Sequence, residues 1–146
     1  MKIVPIILIL FFTKLAVADE YCKRPEKIDP EFPAGLVGNY EIIGRWPDSD
    51  TTYSGHLEIK DGGTSYSLKR TVGGNTIKGE AWIEFCSPDK FMVFKFKYTN
   101  APKAFAGTCY FRGNSDNYYL ISCYTRLDKT KYKNHGLEAM FQLQEP

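Results

Sequence analysis

The chain has 146 residues, a length that suits one hydrophobic core but not two. Its 19 basic and 17 acidic side chains nearly balance. This argues against a general nucleic-acid binder or a membrane-surface binder, because both need an excess of Lys and Arg. Tyr and Phe are equally common, with 10 of each, and amphipathic aromatics at this density suit strands with one face on a core and the other in water.

The first 18 residues have the layout of a cleavable secretory signal peptide. Lys2 precedes a short apolar run, and the segment ends in Ala16-Val17-Ala18, the small-residue pattern of a cleavage site. The run is too short for a membrane-spanning helix. We therefore expect a mature protein that begins near Asp19, is secreted or periplasmic, and has no stable membrane insertion. Removal of the signal leaves 17 basic and 17 acidic side chains.

Residues 19–38 contain three prolines and no periodic apolar pattern, which predicts an irregular N-terminal arm. Residues 39–146 form a single predicted domain. In eight of its segments successive side chains belong alternately to a more apolar and a more polar set. Breaks such as Asp61-Gly-Gly and Gly73-Gly-Asn carry the residues that tight turns need. The predicted strands cover residues 39–45, 52–59, 65–72, 76–85, 91–99, 104–111, 118–127 and 137–143.

Successive antiparallel strands avoid exposed edges most easily by closing on themselves. The sequence therefore predicts an all-β, eight-stranded antiparallel up-and-down β-barrel. Such a barrel is filled by its own side chains or holds one small ligand, and both outcomes are open at this point. The predicted inward-facing residues are Tyr53, Leu57, Ile59, Tyr66, Leu68, Val72, Ile77, Ala81, Ile83, Phe85, Phe94, Phe96, Tyr98, Tyr110, Leu120, Tyr124, Leu137, Ala139, Phe141 and Leu143.

Four cysteines, Cys22, Cys86, Cys109 and Cys123, lie in the mature part of the chain. In an oxidising compartment an even number predicts disulfides, and the lack of a Cys-x-x-Cys motif argues against zinc or redox chemistry. Three pairings are open, with free thiols as a further alternative. Because Cys109 and Cys123 flank a predicted turn at similar distances, we favour a Cys109–Cys123 bond across that hairpin and a Cys22–Cys86 bond that tethers the arm.

A pattern of turn glycines and core aromatics spans most of the mature chain. It comprises Gly38-Asn-Tyr40, the segment from Tyr53 to Ile59, Tyr66-Ser-Leu68, Gly73-Gly74, Ile77-Lys-Gly79 and Gly136-Leu-Glu138. This pattern resembles small exported bacterial barrels of the avidin-like or lipocalin-like kind, and the resemblance implies a barrel fold and a bacterial source. The chain departs from the pattern at Arg70, where an inward aromatic often sits, and in its four cysteines. Biotin binding is not implied, since no ligand-contact set matches residue by residue.

Residues suited to catalysis or metal binding are few. His56 and His135 have no Cys, Asp or Glu at metal-ligand spacing, and the sequence lacks zinc-protease and nucleophile-elbow motifs. Oxidised cysteines cannot act as nucleophiles. We expect Glu58, Glu80 and Glu84 to be solvated strand carboxylates and not a pair for glycoside hydrolysis. The sequence therefore predicts no enzyme, no metal and no cofactor.

Two features suggest binding. Arg70 falls on the predicted inner face, where a guanidinium has to be paired within the protein or meet a ligand. The longest predicted loop carries the basic and aromatic side chains that suit an acidic partner, although a plain solvated loop is the commoner explanation of such residues. These candidate partner-binding residues are Lys129, Lys131, Tyr132 and Lys133.

Two functional hypotheses follow. In the first, the barrel holds a small, largely apolar ligand in its interior, lined by Tyr53, Tyr66, Arg70, Phe94 and Tyr124. In the second, a protein-binding barrel acts through its loops, for example as a periplasmic inhibitor of a lysozyme-like hydrolase or as an immunity protein for an exported toxin. An interior cavity above roughly 300 Å³ favours the ligand. A filled interior with an exposed apolar or basic surface favours the protein partner.

Overall fold

The computed structural model describes residues 22–27, 36–86, 91–98, 105–113, 119–127, 131 and 133–143. The predicted signal peptide lies outside this part of the chain. The described residues form nine strands, which are β1 (Cys22–Lys23), β2 (Gly38–Arg45), β3 (Thr52–Asp61), β4 (Tyr66–Val72), β5 (Asn75–Cys86), β6 (Phe91–Tyr98), β7 (Phe105–Gly113), β8 (Tyr119–Leu127) and β9 (Gly136–Gln142).

Strands β2 to β9 form a closed antiparallel barrel, as predicted. Each strand pairs with the next along the chain, and β9 returns to pair with β2, where Ile42 lies opposite Met140. The two-residue turn Gly73-Gly74 joins β4 to β5, and both glycines have positive φ, at 55° and 79°. A hairpin turn of this handedness matches the right-handed twist of the strands, which is why glycine is suited to both positions.

Two disulfides form between strand residues, in the predicted pairing. Cys109 lies directly opposite Cys123 in the β7–β8 ladder, and the two are bonded. Cys22 lies opposite Cys86, and this second bond joins the short strand β1 to the end of β5. The N-terminal arm is therefore attached to the barrel at β5, the strand that faces β9 across the cylinder.

The inward-facing residues of β3 to β6 agree with the predicted alternation. Leu57, Ile59, Leu68, Ala81 and Phe94 are buried, and so are the other residues predicted inward on β6, Phe96 and Tyr98. Towards the barrel ends the agreement is partial. There, the predicted core residues are half-buried and pack against the core; they are Val72, Ile77 and Phe85.

The predicted faces of β7, β8 and β9 are wrong. The side chains of Tyr110, Tyr124 and Leu137 are exposed by 58, 65 and 45 % on the outside of the barrel. Their neighbours of opposite phase are inside, among them both cysteines of the hairpin. The other residues predicted inward but found outside are Leu120, Phe141 and Leu143, which are exposed, and Ala139, which is half-buried. The buried residues that replace them are Cys109, Ile121, Cys123, Thr125, Glu138 and Met140.

Inward glycines make room for aromatic rings. A Cβ atom on Gly107 would lie 2.3 Å from the ring of Phe96, and one on Gly79 would lie 2.5 Å from the ring of Tyr98. Each ring thus lies over bare backbone of the neighbouring strand, where a larger residue would collide with it. Phe96 and Tyr98 are 1 and 0 % exposed, so no water-sized space borders them.

We predict that Gly107→Ala destabilises the barrel, because the added methyl group collides with the buried Phe96 ring. Overpacking of this kind costs about 1–3 kcal/mol, and urea unfolding of the oxidised protein measures it. Adding Phe96→Leu removes the collision, so the double variant should lose less stability than the two single variants together. If the loss in the double variant equals the sum of the losses in the two single variants, the proposed collision between residue 107 and the Phe96 ring is contradicted.

Candidate binding surface

The barrel interior contains a buried ion pair. Arg70 of β4 donates to Oε2 of Glu138 on β9 from Nη2 at 2.8 Å and from Nε at 3.3 Å. The same oxygen accepts a hydrogen bond of 2.7 Å from the Tyr53 hydroxyl. The side chains of Arg70 and Glu138 are 2 and 0 % exposed. The guanidinium is therefore neutralised within the protein, which is one of the two roles expected for it.

Aromatic rings surround this ion pair. The guanidinium carbon of Arg70 lies 4.8 Å from the ring centre of Tyr53, 5.2 Å from that of Phe105, 5.4 Å from that of Trp46 and 5.9 Å from that of Tyr98. Such cation–π contacts contribute most where the charge is removed from water. Together with Glu138, they hold the guanidinium in one place near one end of the barrel.

Four of the five predicted ligand-lining residues lie inside the barrel. Tyr53 and Arg70 meet at the ion pair, whereas Tyr66 and Phe94 pack with ring centres 6.4 Å apart about 13 Å further along β4. Tyr124, the fifth, is on the outside, so its inward assignment is wrong. Phe94 is 0 % exposed, as are Tyr40, Ile42 and Ile59. The described interior is thus filled by the protein's own side chains around these residues.

We predict that Glu138→Gln strongly destabilises the fold, because it leaves the Arg70 charge buried without a counter-charge. Removing one partner of a buried pair costs about 3–5 kcal/mol, whereas replacing both with apolar residues of similar size is often neutral or stabilising. The double variant Arg70→Met/Glu138→Met should therefore be more stable than Glu138→Gln alone in urea unfolding. A fully exposed pair would show small effects in both variants, and that result would contradict the burial described above.

Burial raises the pKa of the Tyr53 hydroxyl above its ordinary value, and the Glu138 carboxylate raises it further. Burial also raises the pKa of Tyr98, whose hydroxyl has no hydrogen-bond partner among the described residues. Unfolding exposes both groups and returns their pKa to about 10. Below that pH both tyrosines are protonated in the folded and the unfolded state, and their full contribution to stability is present. Above it the tyrosines ionise first in the unfolded chain, which stabilises that chain relative to the folded protein.

We predict that the free energy of unfolding falls as the pH rises above about 10, by up to about 1.4 kcal/mol per pH unit for each of the two tyrosines. Urea unfolding between pH 8 and 11.5 measures this decline, which should begin at a pH of about 10, the pKa of tyrosine in the unfolded chain. Tyr98→Phe should flatten the decline without loss of stability at neutral pH, since it removes an unpartnered buried hydroxyl. An equally steep decline in Tyr98→Phe would contradict the assignment.

The outer surface of β2, β9, β8, β7 and the start of β6 carries many apolar side chains, although the exposed Glu41 lies directly opposite Phe141. Leu137 lies between Arg45 and Tyr124 across the strands, and Ala139 lies between Ile43 and Ser122. We call this surface the outer apolar face. Its eight large exposed apolar side chains are Ile43, Phe91, Tyr110, Leu120, Tyr124, Leu137, Phe141 and Leu143.

The open area of this face is large for a monomer. Its eight side chains are exposed by 38–65 %. At roughly 200 Å² for a whole side chain of this size, they leave on the order of 800 Å² of apolar surface in contact with water. The largest apolar patch on a typical monomer is about 300–600 Å². One partner of a standard protein–protein interface contributes about 800 Å².

A concave groove runs along the outer apolar face, with a volume of about 730 Å³. Tyr110, Tyr124 and Leu137 line it, together with the hydroxyl side chains of Thr108 and Ser122. Most of the lining is apolar, and the two hydroxyl groups are among its polar positions. The arrangement suits recognition by shape and apolar contact.

The predicted basic loop lies beside the groove. Lys131 and Lys133 are exposed, while Lys129 and Tyr132 lie outside the described residues. The Asp48 carboxylate accepts hydrogen bonds from the backbone N–H groups of Lys133 and Asn134, the shortest of 2.8 and 2.6 Å. Asp48 has φ of 53°, a left-handed conformation that Asp tolerates better than most residues. The loop between β2 and β3 thus fixes the loop before β9.

The remaining titratable residues that the sequence singled out lie on the barrel surface. Glu80 pairs with Arg24 at 3.5 Å and Glu84 with Lys95 at 2.5 Å. Glu58 pairs with Lys60 at 2.8 Å and lines a pocket of about 350 Å³ together with His56 and Lys69. The two histidines are both exposed, and His135 places its ring 5.8 Å from that of Tyr124. His56 and Glu58 thus share one surface pocket, which the other two glutamates and His135 do not line.

Sequence analysis missed two features of this region, Glu138 inside the barrel and the outer apolar face. Both were missed because the sequence analysis placed Leu137 and Phe141 of β9 inside the barrel, which put Glu138 outside. One signal was present in the sequence: a buried Arg70 needs an acid on an inward position of a nearby strand. Testing each strand phase against that requirement would have favoured Glu138.

Comparisons of the chain with family models, curated proteins and solved structures found no match. The closed eight-stranded barrel is confirmed, whereas none of these comparisons supports a resemblance to avidin-like or lipocalin-like proteins or a bacterial source. None of the described residues belongs to a helix long and apolar enough to cross a lipid bilayer.

Proposed function

We propose that this protein is an exported, non-enzymatic β-barrel that binds another protein through the outer apolar face. One observation carries the proposal: eight large apolar side chains are exposed by 38–65 % on the outside of the barrel, whereas described inward side chains such as Phe94 and Phe96 are buried. Strands of this kind normally carry polar side chains on the outer face, because that face is in water. An exposed apolar area of this size is typical of an interaction site.

The interior argues against the alternative of a small ligand inside the barrel. Phe94, Phe96 and Tyr98 are exposed by no more than 1 % and pack against neighbouring rings. The Arg70 guanidinium, which a ligand carboxylate or amide would need, is already bonded to Glu138. A ligand would have to displace several of these side chains and break the ion pair.

Export is part of the proposal, and two observations support it. The first 18 residues have the layout of a signal peptide, and two disulfides lie between strand residues. Disulfides form and persist in oxidising compartments. A periplasmic or secreted inhibitor or immunity protein, acting on a hydrolase or toxin outside the cytoplasm, fits this setting.

We predict that a photocrosslinking residue at position 122 in the groove forms one discrete adduct in the periplasmic or secreted fraction of the source organism. The matched control is the same residue at position 67, because Ser67 is exposed on β4, across the barrel from β8. Leu137→Glu should reduce the adduct from position 122 at least about tenfold, since it puts a charge into the apolar contact. Adducts of equal yield from both positions, or none at all, would rule out this use of the face.

A further inference from the structure

We propose that the groove on the outer apolar face takes a protruding, carboxylate-bearing apolar segment of the partner protein, with Arg45 as the anchor of the carboxylate. This inference rests on the proposed function and specifies the chemistry of its partner. Three properties of the described residues carry it, namely the paired strands, the concave shape of the groove and its charge.

The first property restricts how a partner can bind. Each strand of the barrel is paired with neighbours on both sides, from β2 around to β9 and back to β2. Among the described strands only the two-residue β1, which pairs with β5 alone, leaves an edge open, so a partner cannot extend the barrel by adding a strand to β2–β9. Recognition has to come from side chains on the outer surface. The outer apolar face carries eight of the large apolar side chains that are exposed among the described residues.

The second property is the concave shape of the groove. A two-fold dimer uses the same patch on both copies, so the patch has to complement itself. A groove of about 730 Å³ does not complement another groove. It instead fits a loop or chain terminus that protrudes, as a segment of a different protein can do.

The third property is the charge of the groove. Two of its lining residues carry a formal charge, Arg45 and Glu138, and the side chain of Glu138 is 0 % exposed inside the barrel. The charge that the groove presents to a partner is therefore positive. Among the described residues, no carboxylate lies within 4 Å of the Arg45 guanidinium, which donates to the backbone carbonyls of Ser49 and His135 at 3.4 Å.

Further cations lie at the same end of the groove. Arg126 is exposed two residues beyond Tyr124 on β8, and the loop that Asp48 holds carries Lys131 and Lys133. A segment that places apolar side chains on Tyr124 and Leu137 would bring an adjacent carboxylate to Arg45. Arginine binds carboxylates through two parallel hydrogen bonds, which adds direction to the charge attraction.

A phage-displayed library of random peptides, selected on the immobilised mature protein, tests this inference. We expect enriched peptides in which Asp or Glu lies next to aromatic or aliphatic residues. Their affinity should fall about tenfold for Arg45→Gln, since a charge-assisted hydrogen bond contributes about that much, and by a smaller factor for Arg45→Lys, which keeps the charge but not the two parallel hydrogen bonds. An unchanged free energy of unfolding in Arg45→Gln distinguishes a role in binding from a role in holding the neighbouring loop.

The matched control is Lys69→Gln, because Lys69 is an exposed cation on β4, across the barrel from β8; its affinity should equal that of the wild type. Enriched peptides without acids, affinities unchanged by Arg45→Gln, or a failure to enrich any peptide would overturn the inference. So would self-association in sedimentation experiments that Leu137→Glu abolishes. None of these results removes the proposed function by itself, because the crosslink from position 122 tests that separately.

Discussion

The ion pair between Arg70 and Glu138 determines which face of β9 is inside the barrel. A guanidinium among aromatic rings is tolerated only if an acid reaches it, and Glu138 does so from β9 at 2.8 Å. Because side chains alternate along a strand, the inward position of Glu138 turns Leu137 and Ala139 outward. The outer apolar face is thus the other side of the same strand phase, and the buried charge and the exposed apolar surface have one structural cause.

Much of the fold could be predicted from the sequence because most strands have one clearly apolar phase. In β3 and β4 the apolar residues Leu57, Ile59 and Leu68 alternate with polar ones, and the glycine pair between β4 and β5 marks the turn. The Cys109–Cys123 bond could be predicted from the positions of these cysteines about a turn, which left Cys22 and Cys86 as the other pair. These strand phases and the hairpin bond do not depend on contacts between distant strands.

The candidate binding surface could not be predicted in the same way. In β8 and β9 both phases contain large side chains, so alternation alone favours the more apolar one, with Tyr124 and Leu137 inside. The choice is reversed by interactions between distant strands: the salt bridge from β4 to β9, and the Cys109–Cys123 bond inside the β7–β8 hairpin. Where binding requires apolar residues in water, the usual rule of burial predicts the opposite of what the strand does.

The tether between Cys22 and Cys86 has a practical consequence for handling the protein. It fixes Cys22 at the end of β5, whereas Leu143, just after β9, is itself part of the outer apolar face. β5 and β9 are on opposite sides of the cylinder. A fluorophore or surface attachment near Cys22 therefore lies across the cylinder from β9, while one placed next to Leu143 adjoins the outer apolar face.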